Sequence, residues 1–184
     1  RMISVVAVSL KKTPTHGKKT PRQEQETRYV CGLLPLPEIG RQLGREARRV
    51  NLGQADVLIG LTDGGAGLED CLLDHVFAGL GKPIEFILDF YHAAQHLHDF
   101  LKAWLPDEAQ RQPVAADWCH RLKHAGGESV LHDLQALDLS AMSATARESH
   151  RQLCGYYGGN LHRMDYPRYV TRGWQIGSGT IESA

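Results

Sequence analysis

No run of apolar residues in this 184-residue chain approaches the ~18 that a membrane-spanning helix requires. The longest, Ile3–Leu10 and Ile84–Leu88, are only strand-sized. No basic–apolar–small segment opens the chain as a secretory leader would, so a cytoplasmic location and no membrane partner are expected. The four cysteines, Cys31, Cys71, Cys119 and Cys154, include no Cys-x-x-Cys pair, which argues against a zinc ribbon and a disulfide framework. Internal repeats, low-complexity tracts and heptads are missing. The glycine run Gly64-Gly65-Ala66-Gly67 has neither the Lys-Ser/Thr of a P-loop nor a Gly-x-Gly-x-x-Gly spacing. Gly177-Ser178-Gly179 is not the Gly-x-Ser-x-Gly elbow of a hydrolase. What is present is a globular composition, 42% hydrophobic and 23% charged, sized for one domain or one domain with an insertion.

The formal net charge of zero hides an asymmetry. Residues 1–50 hold 11 Lys and Arg against 4 Asp and Glu, whereas the remainder holds 10 against 17. A basic arm joined to an acidic body suits an arm that meets phosphate and a body that gathers carboxylates. A solvated polar loop accounts for the arm equally well. Ile3–Leu10 and Thr27–Leu34 read as strands flanking a long basic tip over 11–27, with Lys18 and Lys19. Ile39, Leu43, Ala47 and Val50 recur at helical spacing. Asp56–Leu61 and Ile84–Leu88 suit buried parallel strands, separated by a helix through Leu68, Leu72 and Val76. Phe90, Ala93, Ala94, Leu97, Leu101 and Trp104 mark a strong helix, and periodic helical segments continue to about 157. A tail rich in Gly, Tyr and Arg follows. The expected class is α/β: a mixed sheet flanked by helices, then an all-helical block.

In such sheets ligands gather at the carboxyl ends of the strands, where Asp63 and Asp89 fall. Asp63 directly follows a buried strand and precedes two glycines, which suits a metal-binding carboxylate and also a turn or helix cap. Asp89 and His92 lie one helical turn apart, able to approach one point; Asp89 as an N-cap with an exposed His92 is the plainer alternative. His92 and His96 share a face, but no Glu follows the first His to complete a zinc-protease spacing. In the tail, Tyr156, Tyr157, Tyr166, Tyr169 and Trp174 interleave with His162, Arg163, Arg168 and Arg172. That pattern suits a surface for nucleic-acid backbone and unpaired bases, or a satellite cluster that pins a loop. Glu182 follows the glycine turn at what reads as the start of a helix, where a carboxylate suits the helix dipole.

Four stretches in this order carry a resemblance: Leu61-Thr-Asp-Gly-Gly-Ala66, Ile87-Leu-Asp-Phe-Tyr-His-Ala-Ala94, Arg163-Met-Asp-Tyr-Pro-Arg168 and Ile176-Gly-Ser-Gly-Thr-Ile-Glu-Ser-Ala184. Together, over about residues 55–184, the chain resembles the DDE transposases of bacterial insertion sequences, in the ISKra-type group. The resemblance implies an RNase H-like fold with a helical insertion before the last catalytic carboxylate. The implied divisions are a core over 1–95, the insertion over 96–160 and a return segment over 161–184. It makes Asp63 the second acidic residue of the triad and Glu182 the third, both on Mg²⁺ or Mn²⁺ in a two-metal site. Asp89 and His92 match an Asp-x-x-His element near the active site. The implied reaction is metal-dependent cleavage at transposon ends followed by strand transfer into target DNA, by a homodimer or larger assembly. Arg163, Arg168, Arg172, Tyr166, Tyr169, Trp174, Lys18 and Lys19 are the candidate DNA contacts.

The first catalytic aspartate of that family lies on the opening strand and is followed by glycine, yet residues 1–23 contain no Asp or Glu. The expectation is therefore that this strand lies upstream of Arg1, and that the polypeptide as given is a fragment, inactive alone. Two other readings stand beside the transposase: a remnant that binds DNA without catalysis, and an RNase H-like nuclease that cleaves without strand transfer.

Overall fold

The structure is a computed structural model, and it describes residues 4–9 and 27–178. The basic tip with Lys18 and Lys19, and Glu182 with its expected helix start, lie outside those residues. The chain is mixed α/β and mostly helical. It divides into two compact units. One holds the described residues up to Gly60 together with Gly65–Phe86, the other Leu61–Gly64 and Ile87–Ser178.

In the first unit, β1 (Ser4–Ser9) and β2 (Thr27–Gly32) pair antiparallel, with Val6 opposite Val30. Helix α1 (Leu36–Arg49) opens on a proline in its first turn and ends in Arg48 and Arg49, favourable charges at a helix C-terminus. It buries Ile39, Leu43 and Ala47 in a cluster with Val8, Val30, Leu58, Val76 and Phe77. On the same helix Gly40 and Gly44 are one turn apart. A Cβ on Gly40 would lie 2.5 Å from the Cys71 sulfur, and one on Gly44 would meet the His75 carbonyl. Glycine is what lets α1 approach α2 (Leu68–Leu72) and the π-helical turn Leu73–Phe77 that continues it. The single helix expected through Leu68, Leu72 and Val76 is thus two short pieces.

Strands β3 (Leu58–Thr62) and β4 (Ile84–Leu88) form a small parallel pair, and the division between the units passes through both. Leu58 N–H donates to the Pro83 carbonyl at one end, and Asp89 N–H donates to the Thr62 carbonyl at the other, at 2.9 and 2.7 Å. β3 starts two residues later than the sequence pattern suggests, and Val57 is exposed.

The second unit is a helical assembly built on the strand ends. α3 (Phe90–Trp104), α4 (Glu108–Gln135), α5 (Ala144–Asn160) and α6 (Tyr166–Thr171) each begin at a side-chain cap: Asp89, Asp107, Ser143 and Asp165. Leu97, Phe100 and Leu101 of α3, Leu122 and Leu134 of α4, and Tyr157 of α5 are fully buried. α4 breaks at Gly126 (φ 86°, ψ 170°), a conformation open essentially to glycine alone. The break brings Gly127 N–H to the Met164 carbonyl at 3.0 Å, so the segment before α6 seats against α4. α6 is a short helix that the Gly-, Tyr- and Arg-rich composition does not announce.

Candidate functional site

The site lies within the second unit, at the carboxyl ends of β3 and β4. β3 ends on buried Thr62; the next residue, Asp63, is exposed, and Gly64 turns the chain at φ 87°. A Cβ on Gly64 would lie 2.9 Å from Leu88 Cδ1, 3.3 Å from Asn160 Oδ1 and 3.4 Å from the Tyr156 hydroxyl. Glycine therefore serves twice here, through its positive φ and through the space its absent side chain leaves.

Beneath that turn stands one face of α5. The Tyr156 hydroxyl donates to the Asp63 carbonyl at 2.9 Å. One turn later, Asn160 Oδ1 accepts from a terminal nitrogen of Arg163, whose other terminal nitrogen donates to Thr62 Oγ1 at 3.2 Å. Thr62, Asn160 and Arg163 are all buried. The Asp63 carbonyl and the Thr62 hydroxyl before it are thus each held by a side chain about a hundred positions away, while Asp63 itself is exposed. Burial, then the negative charges of Asp63 and Asp89, push the Tyr156 phenol up to about 12. It remains a neutral donor over the ordinary pH range.

α3 supplies the opposite wall. His96 stacks on the Tyr156 ring, with centroids 4.0 Å apart and planes at 29°. His92 meets His96 edge-on at 4.9 Å and Tyr156 at 6.1 Å. Burial, and then the neighbouring His92, hold the His96 imidazole below its ordinary range, so that it is neutral at pH 7. His92 is exposed, as its position on the helix wheel requires.

Asp89 is 4% exposed and caps α3. One carboxylate oxygen accepts from Tyr91 N–H at 2.8 Å and from His92 N–H at 3.2 Å; the other accepts from Ser178 N–H at 2.8 Å. Among the described residues no group of three or more His, Cys, Asp or Glu side chains could hold a metal ion. Asp63 offers one hard oxygen ligand, which suits Mg²⁺ in kind but not in number. These residues do not by themselves make a metal centre.

Asp63, Asp89 and His92 therefore gather around Tyr156, with Glu182 outside the described residues. The tail is different. Tyr166 and Tyr169 are 0% exposed and Arg163 is 7% exposed, so the expected DNA contacts through these three are corrected. Tyr166 packs edge-on against Phe90 and donates its hydroxyl to the Leu88 carbonyl at 3.1 Å; Tyr169 stacks on Trp174. A ring inside the core offers no face to a base. Arg168 pairs with Asp165 at 2.9 Å and lies over the Tyr169 ring; Arg172 is exposed and lies over Trp174. Thr62 and Asn160 were not anticipated as site residues, and nothing local in the sequence marks them. Comparison of the chain with protein-family models, with curated proteins and with solved structures finds no match.

Proposed function

We propose that this chain is part of the catalytic domain of a DDE-type transposase with an RNase H-like fold, acting on DNA by cleavage and strand transfer. The observation that supports it best is Asp63: an exposed carboxylate at the end of a parallel strand, on a backbone fixed by the Tyr156 hydroxyl. Mg²⁺ or Mn²⁺ held by Asp63 and Glu182 would supply activation of the attacking oxygen and neutralisation of charge on the leaving one. The remaining described residues position rather than react. Tyr156, Asn160 and Arg163 hold the β3 end, and His92 and His96 form an aromatic wall beside it. Arg168, Arg172 and Trp174 are the described tail residues left at or near the surface for DNA backbone, in an assembly expected to be a dimer or larger.

The test uses the protein in its full encoded length, with a supercoiled plasmid that carries the DNA flanking its gene. The expected outcome is cleavage in Mg²⁺ or Mn²⁺ with joined products. Asp63→Asn should lower cleavage by about 10³-fold, matching the several kcal/mol that a metal-held charge supplies. Cleavage without joined products would favour the nuclease, and salt-sensitive binding without cleavage the DNA-binding remnant. Wild-type cleavage by Asp63→Asn would refute the assignment of Asp63.

A further inference from the structure

Three consecutive residues near the end of the described chain are fastened to three consecutive residues at the start of α3. Phe90 N–H donates to the Ile176 carbonyl at 2.8 Å. Gly177 lies against the Tyr91 ring so closely that a Cβ there would be 2.5 Å from two ring carbons. Ser178 N–H donates to the Asp89 carboxylate at 2.8 Å. On its other oxygen the same carboxylate caps α3, and the Asp89 backbone N–H donates to Thr62, the neighbour of Asp63. One buried residue thus joins the end of β3, the start of α3 and the segment Ile176–Ser178.

We propose that Asp89 is a positioning residue that acts as this tie, and that its carboxylate takes no part in the chemistry. Both oxygens are already engaged by three backbone N–H groups, and bonds of that charge-assisted kind are the strong ones. Three of the carboxylate's roughly four acceptor sites are taken by backbone N–H groups, and Asp89 is 4% exposed, which leaves it little capacity for a metal ion. The tie also has a use: Glu182 follows Ser178 by four positions, a reach of at most about 14 Å. Fixing Ser178 confines the chain that carries the last proposed catalytic carboxylate. This consequence for activity rests on the transposase reading; the tie itself does not.

Asparagine separates the two roles. It is as good an N-cap as aspartate but has one acceptor oxygen in place of two, so it serves the two helix amides and leaves Ser178 N–H without its acceptor. In Asp89→Asn, amide hydrogen exchange at Ser178 should speed up about 10- to 100-fold, with His92 protection retained. Gly177→Ala, which forces the segment off Tyr91 and touches no carboxylate, should raise exchange at Ser178 likewise. In the full-length protein both variants should lower kcat about 10- to 100-fold, and neither should change the Mg²⁺ concentration for half-maximal rate. Unchanged exchange at Ser178 in Asp89→Asn would overturn the proposal. So would a shifted Mg²⁺ requirement in Asp89→Asn beside wild-type kinetics in Gly177→Ala. If the wild-type protein cleaves no DNA, the transposase reading fails, and the exchange measurement still decides the tie.

Discussion

Replacing Gly64 by alanine tests the geometry under Asp63 directly. At φ 87° a residue with a Cβ costs about 1–2 kcal/mol through backbone crowding alone. The added methyl would also stand 2.9 Å from Leu88 Cδ1, inside the roughly 3.5–4.0 Å at which carbons attract. Leu88 is 0% exposed, and moving it aside adds an off-rotamer cost of order 0.5–1.5 kcal/mol. Together these come to about 1.5–3.5 kcal/mol. All three tryptophans, Trp104, Trp118 and Trp174, belong to the second unit, so their fluorescence in urea follows that unit alone. With a slope of about 1–2 kcal/mol/M, the midpoint should fall by roughly 1–3 M. Gly173→Ala is the control: its φ is 69°, but nothing lies within 4 Å of an added Cβ. It should lose only the backbone part, about 1–2 kcal/mol. If Gly64→Ala costs no more than Gly173→Ala, the close approach of Leu88, Asn160 and Tyr156 to this turn is wrong.

Two further outcomes are expected of the same unit. The His96 imidazole is held below its ordinary range, so the unfolded chain takes up its proton first as pH falls. The resulting stability is complete above about pH 6.5 and is lost on descending through the folded value. The urea midpoint should therefore drop between pH 7.5 and 5.5, and drop less in His96→Gln; an equal drop in both proteins would dismiss the stacked, half-buried His96. Tyr157 donates its hydroxyl to the Ala93 carbonyl at 3.0 Å in the core between α3 and α5. Tyr157→Phe should cost about 1 kcal/mol by tryptophan fluorescence, and a variant as stable as wild type would mean that the bond contributes nothing.

The elements that local pattern governs were legible. Ile84–Leu88 is a strand over the span its apolar run marks, and α3 begins after the aspartate that caps it. Even the short α6 has a local signature, since Asp165 accepts from Arg168 N–H and Pro167 sits in the first turn. Composition obscures it. α5 runs on through Gly155, Gly158 and Gly159 because the opposite face, with Ala146, His150, Leu153, Tyr157 and Asn160, is buried, and packing outweighs glycine's poor propensity. Those five positions recur at spacings of four and three, so the helix was available to a reading by period rather than by glycine count.

The site was legible only in its local half. Asp63 at a strand end followed by glycine, and Asp89 with His92 one turn on, are short-range patterns, and the structure brings them together. The other half is held by contacts that no window along the chain contains. Tyr156 reaches Asp63 across 93 positions, and Arg163 reaches Thr62 across 101. The same limit explains Tyr166, Tyr169 and Arg163. An Arg–Tyr alternation looks alike whether the rings face DNA or the core, and what decides is the set of partners waiting inside: Phe90 and the Leu88 carbonyl for Tyr166, Asn160 and Thr62 for Arg163. Both terminal nitrogens of the buried Arg163 guanidinium are engaged by Asn160 and Thr62, and removing either acceptor would leave a buried donor unsatisfied at a cost of about 1–3 kcal/mol. The Arg163 side chain therefore belongs to the support under Asp63, and the DNA contacts proposed for the described tail rest on Arg168, Arg172 and Trp174.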